Sequence, residues 1–314
     1  MPFSQGARTS LRFIRESVFG ETPATPTLVQ IPYKTQSLAL TKERLEGADI
    51  LGDRLPFVDR HGFRTAGGSI EVDLRKGDYD AFLESAFFNE FNNNVLKVGT
   101  TPRFLTIEDA ALDISQFRVF RGMAVNIASF SIAPNQMIQT TFELIGRDME
   151  QRATTVGTSG PTAPTGNEPF DSYNAPILEG GPDSGDQICI VSALNFSINN
   201  GLSPAFVIGC GNGRSPQMEF GNATIEGTMT VYYENDDLIK KFLDEEETEL
   251  TITVDDPTQA NGYSFFFPRI KYNGAAVPVA NPQSRFIELP FVALKDADTA
   301  TSLQLTRAVP VSPP

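Results

Sequence analysis

The chain has little of what most active sites are built from: it contains no tryptophan, one histidine and two cysteines in 314 residues. A Ser-His-Asp or Cys-His catalytic arrangement would need that histidine, His61, which follows Arg60 in a polar stretch without a nucleophile-elbow sequence. The same counts disfavour metal sites built from histidine or cysteine. We therefore interpret His61 as an exposed loop residue and predict that the chain is not an enzyme and has no catalytic, cofactor-binding or metal-binding residues.

The two cysteines do not amount to a disulfide framework in a chain of this length. Cys189 and Cys210 lie in or at the end of apolar segments that could form neighbouring strands, so a disulfide between them is geometrically possible. The sequence leaves open whether they pair, and buried free thiols are the favoured interpretation.

Long apolar runs and a surplus of basic residues are also missing. No segment approaches the roughly 18 apolar residues of a membrane span, and the first residues lack the apolar core of a secretory signal, so we expect no membrane anchoring.

The net charge is −14. Residues 1–150 carry 19 acidic and 16 basic side chains, and residues 151–314 carry 20 and 9. This balance argues against sustained nucleic-acid binding, which needs Lys and Arg to neutralise phosphates. An acidic wall past which DNA slides is compatible with it, as is a surface whose acid only supports solubility.

Carboxylate clusters and one glycine-rich segment are the remaining candidates for chemistry. The run at 244–249 is acidic enough to attract calcium but lacks the EF-hand register, so we interpret it as a solvated face. The pairs Asp78/Asp80 and Asp236/Asp237 stand where helices begin, where carboxylates cap free N–H groups. Residues 209–214 lack the G-x-x-x-x-G-K-[ST] pattern of a phosphate-binding loop, which predicts a turn.

Alternation of apolar and polar residues with a period of two predicts a mainly β protein. It runs through Ile70/Val72/Leu74, Ala128/Phe130/Ile132 and Met229/Val231/Tyr233. Two amphipathic helices are predicted as well, one over 79–87 with Asp78 as its N-cap and one over 238–243 behind Asn235 or Asp236.

The second half of the chain repeats the first in order and spacing. A strand-like segment, an acidic turn and an amphipathic helix occur at 69–83 and again at 228–243. The flanking segments match in the same order: 37–40 with 195–198, 105–107 with 250–252, 117–120 with 263–267, and 142–145 with 291–294. This pattern predicts a duplicated domain, in which each unit is a small β-sandwich with one packed α-helix.

The repeat and the composition divide the chain into five predicted segments. They are an N-terminal arm (1–26), a first unit (27–150), a Thr/Gly/Pro-rich linker (151–186), a second unit (187–294) and a C-terminal tail (295–314). The prolines of the arm argue against packing, although 10–16 has the pattern of a strand or a short helical turn. The polar stretch 42–65 is longer than typical loops and is either functional or mobile. Residues 302–305 are predicted as a last strand.

One protein family shares these features in the same order. They are the arm residues 19–26, the strand Gly68-Ser69-Ile70-Glu71-Val72 with Asp78-Tyr79-Asp80-Ala81-Phe82-Leu83, the strand 120–126 with Ser129-Phe130-Ser131-Ile132, and the closing segment Thr141-Phe142-Glu143-Leu144-Ile145-Gly146. In this pattern the chain resembles the major tail tube proteins of long-tailed (siphovirus-like) bacteriophages over nearly its whole length. No residue in the pattern is diagnostic by itself.

The resemblance implies a structural virion protein of the phage tail, made in the bacterial host cytoplasm, without cofactors. The implied fold is two tandem tail-tube-type β-sandwich or barrel units whose inner sheets join around a ring. The rings stack into a hollow tube around a tape-measure protein, close against tail terminator or tip proteins, and later pass double-stranded DNA without binding it specifically. With two units per chain, we expect trimeric rings with pseudo-sixfold symmetry.

The same resemblance places particular segments in the assembly. Segments 69–74, 122–126, 228–233 and 269–273 are expected to line the lumen. Residues 42–65 and 1–26 are expected to reach the neighbouring ring, so deletion of 1–26 should leave a folded protein that does not polymerise.

Two other classes of function stay open at this point. A host- or carbohydrate-binding β-sandwich module of a virion or cell surface would group aromatic side chains on an exposed face. Against it, the chain has no tryptophan, the usual residue for stacking on sugars, and its 24 phenylalanines suggest core positions. An enzyme with two carboxylates set across a cleft is the second class, because the chain has 39 acidic residues from which such a pair could come.

Overall fold

The computed structural model describes residues 3–50, 52, 54–55, 58–180, 185–209, 211–255, 262–279 and 284–307. Within these ranges the protein is mainly β, as predicted, and its strand-to-strand ladders are antiparallel. The strands are β1 (Thr9–Glu16), β2 (Val29–Ile31), β3 (Thr35–Gln36), β4 (Ala39–Glu46), β5 (Asp59–Asp73), β6 (Val95–Lys97), β7 (Phe104–Ala111), β8 (Gln116–Ile132), β9 (Gln139–Gly146), β10 (Asp148–Arg152), β11 (Ile177–Glu179), β12 (Asp186–Gln187), β13 (Val191–Asn199), β14 (Ser203–Ala205), β15 (Gln217–Glu219), β16 (Thr224–Tyr232), β17 (Glu247–Val254), β18 (Tyr263–Tyr272), β19 (Phe286–Ala293) and β20 (Gln304–Arg307). The helices are α1 (Asp80–Phe87) and α2 (Asp237–Leu243).

Eight strands from both halves form one continuous sheet, which we call the inner sheet. Its order is β4-β5-β9-β8-β13-β16-β19-β18. The two halves meet where β8 pairs with β13 over six residues, from Ile127↔Asn199 to Ile132↔Leu194. The apolar residues on one face are buried in a shared core, as the period of two predicts.

Two smaller outer sheets continue from the long strands of the inner sheet. The first half of β8 leaves the inner sheet to pair with β7 and β10, and β7 pairs in turn with β1 and β2, giving the order β2-β1-β7-β8-β10. In the second half of the chain, β18 leaves the inner sheet to pair with β17 and β20, giving the order β12-β11-β17-β18-β20. Strand β6 from the first half pairs with the outer edge of β20.

The two halves pair their strands in the same way. The inner-sheet order β4-β5-β9-β8 recurs as β13-β16-β19-β18. Strands β9 and β19 are both eight residues long and begin 147 positions apart, at Gln139 and Phe286, which differs by two from the offset in the sequence match of 142–145 with 291–294. The ladder between β7 and β8 shifts register between Leu105 and Ile107, and the ladder between β17 and β18 shifts between Thr248 and Leu250.

The two helices pack to different depths. In α1 every residue after Asp80 is buried, and the predicted apolar positions Tyr79 and Phe82 are 1% exposed. Helix α2 has no fully buried residue: Leu238, Ile239 and Phe242 are partly buried against the core, and Leu243 is 67% exposed.

The predicted N-cap is wrong for α1, whereas Asp236 occupies the predicted N-cap position of α2. Helix α1 begins after Tyr79 rather than Asp78 and has no side-chain cap. The Asp78 carboxylate instead accepts a hydrogen bond from the Thr165 amide at 2.7 Å, because the linker folds back over this turn. Asp236 precedes α2, but its carboxylate accepts the Tyr233 hydroxyl, and Asn235 accepts the Asp237 amide.

The predicted arm and linker are packed against the sheets. Residues 9–16 form β1, whose eight residues all pair with β7, so the strand alternative for this segment is confirmed. Linker residue Phe170 is 0% exposed, and its amide and carbonyl are bonded to Leu74 and Ile138. The predicted last strand exists as β20, displaced two residues toward the C-terminus.

The polar stretch 42–65 is mostly an extended hairpin rather than a loop. Strands β4 and β5 continue the inner sheet outward from Ala39↔Gly67 to Glu46↔Asp59. His61 lies on this hairpin opposite Arg44 and is exposed as predicted, although it belongs to a strand.

Candidate functional site

One face of the inner sheet, which we call the polar face, has no outer layer packed on it. Its side chains alternate with the buried ones and are short and polar or acidic. They are Ser69, Glu71, Ser129, Ser131, Thr141, Glu143, Asn195, Ser197, Glu226, Thr228, Thr230 and Glu288. A groove of about 530 Å³ crosses the middle of this face, over the strands on both sides of the β8–β13 joint.

The lysines at this face are neutralised by carboxylates. Lys34 lies 3.6 Å from Glu71 and 3.2 Å from Asp73, and Lys271 lies 2.5 Å from Glu245. Glu143, Glu226 and Glu288 remain exposed. The face therefore presents hydroxyl, amide and carboxylate groups, which would weakly repel a polyanion rather than hold it.

The segments expected to line a lumen lie in this sheet. Residues 69–74 lie in or next to β5, 122–126 in β8, 228–233 in or next to β16, and 269–273 in or next to β18. Alternate residues of 69–74, 228–233 and 269–273 point to the polar face, whereas Ile70, for example, is 0% exposed in the core. Residues 122–125 are all buried, so the expectation that 122–126 lines a lumen is wrong for these four residues.

The joint between the halves is built from stacked phenylalanines. Phe130 of β8 and Phe196 of β13 lie opposite each other with ring centroids 4.7 Å apart and planes at 15°. The ring of Phe265 packs on both, at 5.1 and 5.2 Å. At the end of the joint, the buried Asn200 side chain donates to the carbonyls of Ala86 and Val125. These contacts fix the second half on the first at one register.

A buried polar network ties the halves together a second time. The Tyr263 hydroxyl donates to Asp80 at the start of α1 at 2.5 Å and accepts the Gly77 amide at 3.0 Å. Arg307 of β20 forms an ion pair with the same carboxylate. Burial raises the pKa of the Tyr263 phenol well above its ordinary value, and the Asp80 charge adds to this rise. The network was missed from sequence because its members are 183 and 227 positions away from Asp80.

The outer end of the hairpin β4–β5 is supported by the segment between β13 and β16. Phe63 of the hairpin stacks on Phe206 with ring centroids 4.5 Å apart. Arg64 and Arg214 both contact Asp148, at 3.3 and 2.5 Å. The predicted turn at 209–214 thus supplies an arginine to this support, and Cys210 lies outside the described residues.

Apolar side chains are exposed at this end of the molecule. Ile50 at the hairpin tip and Ile208 on the supporting segment are each 96% exposed. Leu45 and Leu55 of the hairpin are exposed as well, and several exposed apolar side chains on one hairpin suit a contact with another protein.

The N-terminal segment after β1 is held by a buried carboxylate. Glu16 accepts hydrogen bonds from the amides of Gly20 and Gly122 and from the Thr106 hydroxyl. Burial raises the pKa of Glu16, and these hydrogen bonds oppose the rise. Phe19 packs on Phe104, so residues 17–22 lie along the outer sheet.

The remaining sequence candidates form no catalytic group. In the acidic run, Glu245 and Glu247 form ion pairs with Lys271 and Arg269, which lower the pKa values of both carboxyls. Among the described residues there is no group of three or more His, Cys, Asp or Glu that could hold a metal ion. Cys189 is free and exposed, so the prediction of a buried thiol is wrong there: it lies in a turn after β12. Neither described helix is long and apolar enough to cross a membrane.

Comparison with protein-family models identifies the family of the chain. The family described as "Phage tail tube protein" matches residues 6–293. No curated protein matches the chain.

Proposed function

The chain belongs to the phage tail tube protein family, and from this membership we propose that three chains close into a pseudo-sixfold ring of the tail tube. As a member of that family it is a structural, non-enzymatic component of the phage tail and virion that assembles with itself. The ring of three chains, its lumen and its stacking contacts are what the proposal adds.

The observation that carries the proposal is the joint between β8 and β13. It places two sets of strands with the same pairing order side by side in one sheet. A duplicated unit explains the shared order, the constant spacing between β9 and β19, and the shared register shift in the outer sheets. A heterologous contact that repeats until the rotation closes produces a ring. Three chains with two units each supply six such positions.

The same pairing suggests unit boundaries wider than the repeat in the sequence. In the outer sheets β1 pairs with β7 as β11 pairs with β17, and β10 pairs with β8 as β20 pairs with β18. We propose units of about 9–152 and 177–307, which would assign most of the predicted arm and tail to the units they flank and shorten the linker to 153–176.

The polar face is the proposed lumen wall. The opposite face of the inner sheet is covered by α1 and the outer sheets, so the polar face is the one left for the interior. Its unpaired carboxylates and hydroxyls favour passage of double-stranded DNA without sustained contact. The tape-measure protein would occupy the same space before DNA ejection, and tail terminator or tip proteins would contact the last rings.

The hairpin β4–β5 is the proposed contact with the neighbouring ring. It projects beyond the inner sheet, Phe63 on it stacks on Phe206, and its tip exposes Ile50. Because the corresponding segment of the second half folds over as the support, each chain would present one such hairpin.

The stoichiometry can be counted directly. We expect native mass spectrometry of isolated rings to give three times the 34.3 kDa chain mass, and electron micrographs of concentrated protein to show stacked rings or tubes. Rings of six chains would refute the pseudo-sixfold arrangement. Protein that stays monomeric at every concentration and forms no tube would refute the proposed assembly.

A further inference from the structure

We propose that residues 274–279 of one chain pair antiparallel with residues 36–41 of the next chain, with Val277 opposite Leu38. The inference rests on the proposed ring and names the edges, partner and register of its interchain contact. The partner is a second copy of this chain, because the joint inside each chain supplies the template.

The template gives the register by correspondence between the halves. The shift of 147 positions that relates β9 to β19 also relates β8 to β18: Val125 opposite Leu144 corresponds to Tyr272 opposite Phe291. It holds beyond β18, where Ala276 pairs with Glu288 as Ser129 pairs with Thr141. Residues 127–132, which form the β8 side of the joint, therefore correspond to 274–279.

The other side of the joint corresponds to the free edge of the inner sheet. Leu40 pairs with Ala66 of β5 as Ile198 pairs with Ile225 of β16, a shift of 158 positions along this strand. Phe196 then corresponds to Leu38. Because Phe196 lies opposite Phe130 in the joint, Leu38 is expected opposite Val277.

Hydrogen-bonding directions on the two edges agree with this register. The amide and carbonyl of Ala276 are bonded to Glu288 of β19, so those of Ala275 and Val277 point away from the sheet. The Ser37 amide is bonded to the Ser69 carbonyl of β5. Because backbone groups alternate in direction along a strand, the amides and carbonyls of Leu38 and Leu40 point outward. Val277 opposite Leu38 and Ala275 opposite Leu40 would each be hydrogen-bonded pairs. Pro278, which has no amide hydrogen, falls on the inward side, where it does not interrupt the new ladder.

Side chains on these edges fit the same pairing. Leu38 is 2% exposed on the core face, where Val277 is also partly buried, as Phe196 and Phe130 are in the joint. In the described part of the chain neither Leu38 nor Val277 has a backbone partner. The Gln36 side chain accepts the Leu38 amide, and side chains of Arg118 and Arg285 donate to the carbonyls of Leu38 and Val277. A paired strand would replace these three side-chain bonds.

Disulfide trapping tests the register. Ala39 and Ala276 would be opposed in a non-hydrogen-bonded pair, with Cα atoms about 4.5 Å apart, which a disulfide can bridge. In a Cys189→Ser/Cys210→Ser background, Ala39→Cys/Ala276→Cys should give covalent trimers on mild oxidation of assembled rings, read on non-reducing gels. Thr41→Cys/Ala276→Cys, shifted by two residues, should cross-link about tenfold more slowly, because a diagonal pair is about 7–8 Å apart. Ser129→Cys/Ser197→Cys, opposed in the joint, should form an intrachain disulfide at a rate similar to that of the opposed interchain pair.

The outcomes separate this inference from the proposed function. Faster cross-linking of the shifted pair would overturn the register. Rings in micrographs without either interchain disulfide would overturn the edge contact and leave the ring itself standing. A background protein that forms no ring under any condition would overturn both.

Discussion

Replacing Tyr263 by phenylalanine tests how strongly the buried network holds the two halves together. The Tyr263 hydroxyl, on a side chain that is 0% exposed, donates to the Asp80 carboxylate and accepts the Gly77 amide. Tyr263→Phe removes both hydrogen bonds without changing the apolar volume. Hydrogen bonds to charged groups contribute about 1.5–3 kcal/mol, and a buried group left without a partner adds to the loss. We expect the free energy of unfolding to fall by about 2–3 kcal/mol.

Tyr272 on the same strand provides the matched control. It is also buried, at 2% exposure, but its hydroxyl lies 3.5 Å from Glu179, too long for a strong hydrogen bond. Tyr272→Phe should therefore cost less than about 1 kcal/mol. Thermal unfolding of the unassembled chain, followed by circular dichroism, should show a midpoint about 4–6 °C lower for Tyr263→Phe than for the wild type. Equal losses in the two variants would refute a special role for the Asp80 network.

Alkaline pH gives an independent readout of the same residues. Burial raises the pKa of the Tyr263 and Tyr272 phenols above their ordinary value of about 10 in the unfolded chain. The stability that results is complete below pH 10 and is lost as the pH rises through the folded-state values, because the unfolded chain releases those protons first. Each Phe variant should therefore lose stability less steeply above pH 10 than the wild type. An unchanged slope in both variants would mean that these phenols titrate as in solvent.

Three further perturbations have clear expected outcomes. The raised pKa of Glu16 stabilises the fold fully below the ordinary carboxyl pKa, and this stability is lost as the pH rises through the folded-state pKa. Chemical denaturation of Glu16→Gln between pH 4 and 7 should therefore show a smaller loss of stability with pH than the wild type. An unchanged slope would contradict burial of the charge. Phe13 in β1 is 5% exposed and packs on Phe82, so Phe13→Ala should lower the free energy of unfolding by about 3–5 kcal/mol. Deletion of 1–26 removes the same contact and should destabilise the fold, in contrast to the expectation from sequence that it stays folded. An undiminished thermal midpoint in either variant would contradict this. Ile50→Ser should leave the thermal midpoint unchanged and reduce tube length in micrographs, whereas Leu243→Ser, exposed on α2, should alter neither; normal tubes from the Ile50 variant would remove the hairpin tip from ring stacking.

The sequence predicted features that depend on local pattern. The period of two identified the buried positions of β5, β8 and β16, and the helical spacing of apolar residues identified α1 and α2. The family resemblance is confirmed over residues 6–293. These features succeed because alternation and helical spacing follow directly from which face of an element is buried.

Features that depend on distant partners were misjudged. Asp78 has the right residue type and place for a cap, but the amide of Thr165, 87 positions away, donates to its carboxylate instead. The proline-rich start of the chain suggested a free arm, yet β7 offers β1 a complete partner strand. Local propensity is a weak guide where a tertiary partner outcompetes it.

The nature of the β8–β13 joint bears on why a chain would carry two units. In a ring of three such chains, three of the six joints lie within chains and three between them. Each association between separate chains costs about 4–15 kcal/mol of translational and rotational freedom, whereas a joint within a chain forms as part of folding. The intrachain joint is made of stacked phenylalanines, and the corresponding edge positions are the smaller Leu38 and Val277. A smaller apolar contact on the proposed interchain edge would keep the isolated chain from exposing large aromatic rings. Ring closure would then depend on the paired backbone of that edge more than on its side chains.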